Sequence, residues 1–266
     1  MKKYISFFRI RFIAGLQYRA AAWGGIATQF AWGFMTILMF RAFYESGQES
    51  FPMTFPELSS YIWMRQAFFA LFGCSFDIDI FDSITSGGIA YELCRPCDLY
   101  FMWFTKDLAT RVSRTILRCM PILLVAALLP YPYNITLPPT LPLFLLFVIS
   151  AVLGVLVLNS FITIIYMTAF YTISSKGVRS ITGSVIEFLG GSIIPLPFFP
   201  ESLQKIVSML PFASIQNTPF LIYVGHMSGS EIAESMAMQV IWLIVLFLLG
   251  RIILWHSQRR VVVQGG

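Results

Sequence analysis

Residues 119–175, CMPILLVAALLPYPYNITLPPTLPLFLLFVISAVLGVLVLNSFITIIYMTAFYTISS, run for 57 residues between Arg118 and Lys176 without one charged side chain. A helix crossing a membrane needs roughly 20 mostly apolar residues, because each residue rises about 1.5 Å through about 30 Å of hydrocarbon. The stretch is too long for one crossing, and Pro130, Pro132, Pro138, Pro139 and Pro142 interrupt it. It reads as two spans, 108–130 and 142–172, joined by the short loop from Tyr131 to Leu141.

The rest of the chain agrees with this. Of its 266 residues, 57% are hydrophobic and 12% charged, against roughly 25% charged in a soluble domain. That excludes an ordinary cytosolic enzyme, a disordered protein and a free nucleic-acid-binding domain. Outward from the central stretch, 20–40 is a clear span, uncharged until Arg41. Residues 58–76 form a weaker one that contains Arg65, 180–199 a fifth that contains Glu187, and 236–255 the sixth. The expectation is an all-α membrane bundle of six helices in a single domain.

Loop charges orient this bundle, since cytoplasmic segments collect Lys and Arg. With the N-terminus inside, Lys2, Lys3, Arg9, Arg11, Arg19, Arg95, Lys106, Arg111, Arg114, Arg118, Lys176, Arg179, Arg251, Arg259 and Arg260 are internal, 15 of the 18 basic residues. Only Arg41 and Lys205 lie outside, together with Glu45, Glu49, Glu57, Glu201, Glu231 and Glu234. Both termini are thus expected in the cytoplasm. No cleavable signal peptide is expected, because the early basic residues are scattered among apolar ones. In 1–19, Ile5, Phe8, Phe12 and Leu16 fall at helical spacing beside arginines, which predicts a helix in the cytoplasmic interface. Residues 201–230 are either a seventh span or, favoured by Pro211, Pro219, Gln216, Asn217 and Thr218, a pair of short extracellular helices re-entering the membrane before the last span.

Little in the chain suggests chemistry. There is no GxxxxGK[ST] loop for nucleotide phosphates, no HExxH and no GxSxG. Cys94 and Cys97 form a CxxC with no second pair or nearby His to complete a zinc site, and read as reduced thiols. Asp77, Asp79 and Asp82 would be the carboxylates of a metal-dependent membrane transferase; their plainer reading is the solvated inner end of span two. Charges inside a span are costly and usually functional. Arg65 and Glu187, each eight residues into its span from opposite faces, come to similar heights and can either pair or each face water.

The cytoplasmic segment between spans two and three, 84–97, carries the most pointed pattern. Gly87 and Gly88 open a turn; Ile89, Tyr91, Glu92, Leu93 and Arg95 follow on a short amphipathic helix that Pro96 stops. Ile89 with Leu93, and Glu92 with Arg95, would share faces suited to a groove on a soluble partner.

The run SGGIAYELCRP at 86–96 resembles the segment after the second span of ABC-2 type permeases. IPLPFFPESLQKIVSMLPF with TPFLIYVG, and the terminal RRVVVQGG, are similar to that family's later stretches. The resemblance implies the membrane subunit of an ABC exporter in a bacterial cytoplasmic membrane, working by alternating access. It implies no cofactor of its own, ATP being bound by a separate ATPase subunit, and pairing with a second permease subunit, identical or different. Gly87, Gly88, Ile89, Glu92, Leu93, Arg95 and Pro96 would then couple to the ATPase. An amphipathic or hydrophobic cargo suits the aromatic spans. The rival is a secondary transporter driven by an ion gradient, which would need inverted repeats or deep ionisable relays.

Overall fold

The computed structural model describes residues 2–17, 19–47, 51–172 and 174–259. Glu49, Arg260 and residues 260–266 of the terminal motif lie outside the described residues. Every regular element among the described residues is helical. In chain order these are α1 (Lys2–Leu16), α2 (Arg19–Glu45), α3 (Phe55–Ala67), α4 (Phe69–Phe72), α5 (Ile78–Thr85), α6 (Ile89–Leu93), α7 (Leu99–Leu128), α8 (Leu141–Met167), α9 (Lys176–Leu189), α10 (Glu201–Ser208), α11 (Asn217–Val224) and α12 (Gly229–Gln258).

Three helical stretches, Ala22–Glu45, Leu141–Phe170 and Gly229–Gln258, are each long and apolar enough to cross a bilayer. The second and third start where the sequence supplies caps. Thr140 Oγ1 accepts from Leu143 N ahead of Pro142 in α8, and Glu231 reaches back 3.1 Å to the Ser228 amide ahead of α12.

The other three expected spans are less regular. The segment 58–76 is α3 and α4, broken at Phe68 and ended at Gly73. The 108–130 segment is the upper part of α7, a helix of 30 residues that holds Lys106, Asp107, Arg111, Arg114 and Arg118 and contains Pro121. In 180–199, α9 stops after 14 residues at Gly190 and Gly191, the latter at φ +77°, and the chain continues irregularly to a 3-10 turn at Leu196–Phe198.

Contacts fix the directions in which these segments run. α2 accompanies α7 in parallel, with Gly25 against Arg118 lower down and Ile26, Ile122 and Ala126 in one apolar cluster. α3 and α4 run against α7: Trp63 Nε1 donates to Tyr133 O beyond the top of α7, while Arg111, lower on α7, reaches Leu71, Gly73 and Ser75. α8 also opposes α7, and α12 runs with α8, from Gln239 beside Ser150 to Ser257 beside Tyr171. The core lies along α8, which buries Val157, Leu158, Ile162 and Tyr166 completely.

Two segments pack more closely on the long helices than their sequence suggests. α1 packs lengthwise on the first half of α7, one of the two largest helix interfaces of the fold. Phe8, Phe12 and Leu16 are half-buried, but Ile5, expected on the same stripe, is exposed. The approach is close, since a Cβ on Gly15 would stand 2.1 Å from Ser113 Oγ. Residues 201–225 form a helical hairpin whose second arm, α11, is buried along its whole length. Its tip meets the middle of α8 and α12: Gln239 Nε2 donates to Ser214 O at 2.8 Å, and a Cβ on Gly154 would lie 2.1 Å from Ile215 O.

Candidate functional site

The segment from Gly73 to Asp98 hangs from the break in the second helical passage. Asp77 begins α5, its Oδ1 accepting from Asp79 N at 3.1 Å. α5 is amphipathic and buries Ile80, Phe81 and Ile84. Phe81 packs edge-on to Tyr166 at 5.2 Å, with the Arg179 guanidinium over its ring, 5.0 Å from the centroid. The turn to α6 needs a left-handed residue, and Gly87 provides it at φ +77°, whereas Gly88 is ordinary helical backbone at φ −60°.

α6 is shorter than expected and ends at Leu93, so Arg95 and Pro96 follow it as exposed chain. Ile89 does not share an outward face with Leu93: it is 2% exposed in the protein's own core, while Leu93 is 40% exposed. Five residues from α6's start are too few to form two complete faces, so packing claims the first apolar residue. Glu92 is not matched with Arg95 either. Its Oε2 accepts from Trp103 Nε1 at 2.9 Å, tying α6 to α7. What remains outward is Tyr91, 81% exposed, with Leu93, Cys94, Arg95 and Pro96.

A buried polar knot anchors this segment to the bundle. Arg111, 1% exposed, donates from Nε to Asp107 Oδ2 at 2.6 Å. Its other nitrogens donate to Leu71 O at 3.2 Å, Gly73 O at 2.8 Å and Ser75 O at 2.8 Å. These carbonyls are orphaned because α4 ends there, so one guanidinium both neutralises Asp107 and caps the break. Tyr166 donates to Asp107 Oδ1 at 3.3 Å and accepts from Asp77 N at 2.9 Å. Lys106 Nζ stands 2.7 Å from Asp77 Oδ2 and 3.7 Å from Asp79 Oδ2.

A clasp holds the segment's far end. Asp98 caps α7 by accepting from Phe101 N and is paired with Arg251 of α12. Its own amide donates to Tyr4 Oη at 2.9 Å, and Lys3 donates to Pro96 O. The chain's first and last long helices thus both hold the exit of the loop.

Sequence reasoning missed the knot and the clasp, having counted Lys106, Arg111 and Arg251 as loop charges. The available signal was the four-residue spacing of Asp107 and Arg111 on one helix face. Of the carboxylates in the transferase alternative, Asp77 and Asp79 face Lys106, and among the described residues no three His, Cys, Asp or Glu side chains are grouped to hold a metal. Arg65 and Glu187 do come near, close enough for the carboxylate's charge to act on the guanidinium, but among the described residues no ion pair within 4.0 Å joins them.

No curated protein sequence matches the chain. The family profile described as ABC-2 family transporter protein matches residues 30–265, which takes in the later part of α2, all of α3 to α12, the knot and the loop. The chain belongs to the ABC-2 transporter family, as a multi-pass membrane transport protein.

Proposed function

We propose that the chain is the membrane-spanning subunit of an ATP-driven exporter and that residues 84–97 are its contact with a separate ATPase subunit. The observation that carries this is the mounting of the loop. It presents Tyr91, Leu93, Cys94 and Arg95 outward, yet it is joined through Glu92–Trp103, the Arg111 knot and the Asp98 clasp to α4, α7, α8, α12 and α1. A push on the exposed residues reaches α1, α7, α8 and α12 through short polar links.

Six passes with both termini in the cytoplasm fit the alternating directions of α2, α3 with α4, α7, α8 and α12, and of α9, which runs from Arg179 beside Phe81 of α5 to Gly191 beside Tyr61 of α3. The broken second and fifth passages are the kind of irregular backbone a membrane tolerates only inside protein. On this reading α10 and α11 are a hairpin entering from outside. Transport follows when ATP closes the partner ATPases, the loop moves with them, and helices of two permease subunits part to release an amphipathic or hydrophobic cargo outward. An ion-driven mechanism would have to work through Arg65 and Glu187, since the buried Asp107 and Arg111 are locked to each other.

The test is reconstitution with the ATPase subunit. The purified chain alone should neither bind nor hydrolyse ATP, and Arg95→Glu should weaken the complex by about 2 kcal/mol or more, roughly 30-fold, without loss from the membrane. Unchanged affinity with Arg95→Glu, or ATP turnover by the chain alone, would overturn the proposal.

A further inference from the structure

We infer that the cavity between the α10–α11 hairpin and the head of α12 binds a small protonated amine that also carries hydroxyl groups, such as an amino sugar. The cavity measures about 350 Å³, at the lower end of the range for small-molecule sites. One wall is the start of α12, where the spacing of Glu231, Glu234, Ser235 and Met238 puts all four on a single helix face. The other wall is the hairpin, with Ser214 and Asn217 at its tip and Gln204 on α10.

Two carboxylates give the site its charge. Glu231 spends Oε2 on the Ser228 amide at 3.1 Å, which leaves Oε1 for a ligand. Among the described residues no Lys or Arg borders the cavity, so a bound cation meets both carboxylates without a competitor. A bare metal ion is the poorer fit. His226 borders the cavity with both glutamates, yet the three are not grouped to hold an ion. Polar groups spread around a wall suit a molecule with several polar atoms.

The rest of the site is a pair of buried groups that the fold leaves unspent. Asn217 is 4% exposed, and its Oδ1 accepts from Tyr61 Oη at 3.1 Å and from Leu196 N at 3.2 Å. A backbone amide can only donate, so Leu196 fixes which end of the side chain is oxygen. Nδ2 is then the end turned away, and it donates to nothing among the described residues. Ser214 is 2% exposed; its carbonyl accepts from Gln239 Nε2 at 2.8 Å, but its hydroxyl has no hydrogen bond among the described residues. Neither atom is sealed off, as the orphaned polar atoms of Ser59 and Gln66 are, and both residues line the cavity. Buried polar groups are normally paired. A hydroxylated amine completes both, with an oxygen for Nδ2 and a hydroxyl for Ser214, while its ammonium goes to the carboxylates. On the six-pass reading the cavity opens to the outside; binding itself depends neither on that topology nor on an ATPase.

The test uses the full chain in neutral detergent and titration calorimetry with three probes. Glucosamine has both charge and hydroxyls, glucose lacks the charge, and ethylammonium lacks the hydroxyls. Glucosamine should bind saturably at millimolar concentration or below and raise the melting temperature, with the other two roughly tenfold weaker or more. Glu231→Gln combined with Glu234→Gln should lower glucosamine affinity roughly tenfold or more, and glutamine at 231 still serves the capping box of α12. Ser214→Ala removes a hydroxyl the fold does not use. It should lower the affinity about threefold or more, with the melting temperature of the ligand-free protein unchanged. No saturable glucosamine binding, or an affinity unchanged in either variant, overturns the site. Glucose binding as tightly as glucosamine overturns the cationic assignment, and ethylammonium doing so overturns the hydroxylated class.

Discussion

Arg111 is the residue on which the inner end of the molecule turns. It sits nearly inaccessible among Asp107 and three backbone carbonyls that no helix satisfies. A buried ion pair adds little net stability over apolar packing, but removing one member strands the other without solvent. Arg111→Met should therefore destabilise the protein by about 3–5 kcal/mol. Arg111→Met with Asp107→Leu should recover part of the loss, the remainder being the uncapped carbonyls. Thermal unfolding followed by monodispersity in detergent reads both, and a single variant as stable as the parent would contradict the assignment. The glycine pair gives a finer contrast. Gly87→Ala forces a side chain into left-handed backbone and should cost about 1–2 kcal/mol. Gly88→Ala, with helical φ and no atom nearer than 3.4 Å to the new Cβ, should be close to neutral in the same melting experiment.

At the scale of elements, what the sequence makes legible is set by how strongly one periodicity dominates. α8 announces itself, since an uncharged run of that length has no soluble alternative, and α12 follows with no charge from Ser235 to Gly250. α7 is only half legible. Its lower part mixes Lys106, Asp107, Arg111 and Arg114 with aromatics, so composition suggests a loop where intrahelical and interhelical pairing sustain a helix from Leu99. α6 exposes the limit of face arguments: Ile89 and Leu93 have the right spacing, but tertiary packing takes Ile89 inward and leaves Leu93. The hairpin of α10 and α11 was open to two readings because its apolar content suits a span and its prolines do not. The structure has two short helices there, with the tip between them wedged against Gly154. Gly154→Ala should then push Ile215 O away from a contact of 2.1 Å and loosen α11. Faster amide hydrogen exchange in residues 213–224, with α7 unchanged, is the expected result; uniform protection across both would contradict it.

For the whole molecule, charge asymmetry and helix direction are independent arguments for one topology. The positive-inside count uses only loop composition, while the alternation of α2, α3 with α4, α7, α8, α9 and α12 uses only contacts. Both arguments favour Lys176 on the side of residues 84–97 and Glu201 on the other. A thiol introduced near Glu201 should react with an impermeant maleimide in intact cells, and one near Lys176 should react only after permeabilisation. Reaction of the Lys176 site in intact cells would break the six-pass arrangement.

The central claim, that the exposed residues beyond α6 deliver ATPase motion to the bundle, is tested most directly by crosslinking through Cys94. This thiol is exposed, one residue from Arg95, and Cys74, Cys97 and Cys119 can be replaced by Ser so that it alone remains. In membranes holding both subunits, a short thiol-directed crosslinker on Cys94 should join the chain to the ATPase subunit, with a yield that changes between nucleotide-free and ATP-trapped states. A Cys94 that reacts fully with a small maleimide yet forms no adduct with the ATPase in either state would contradict the account.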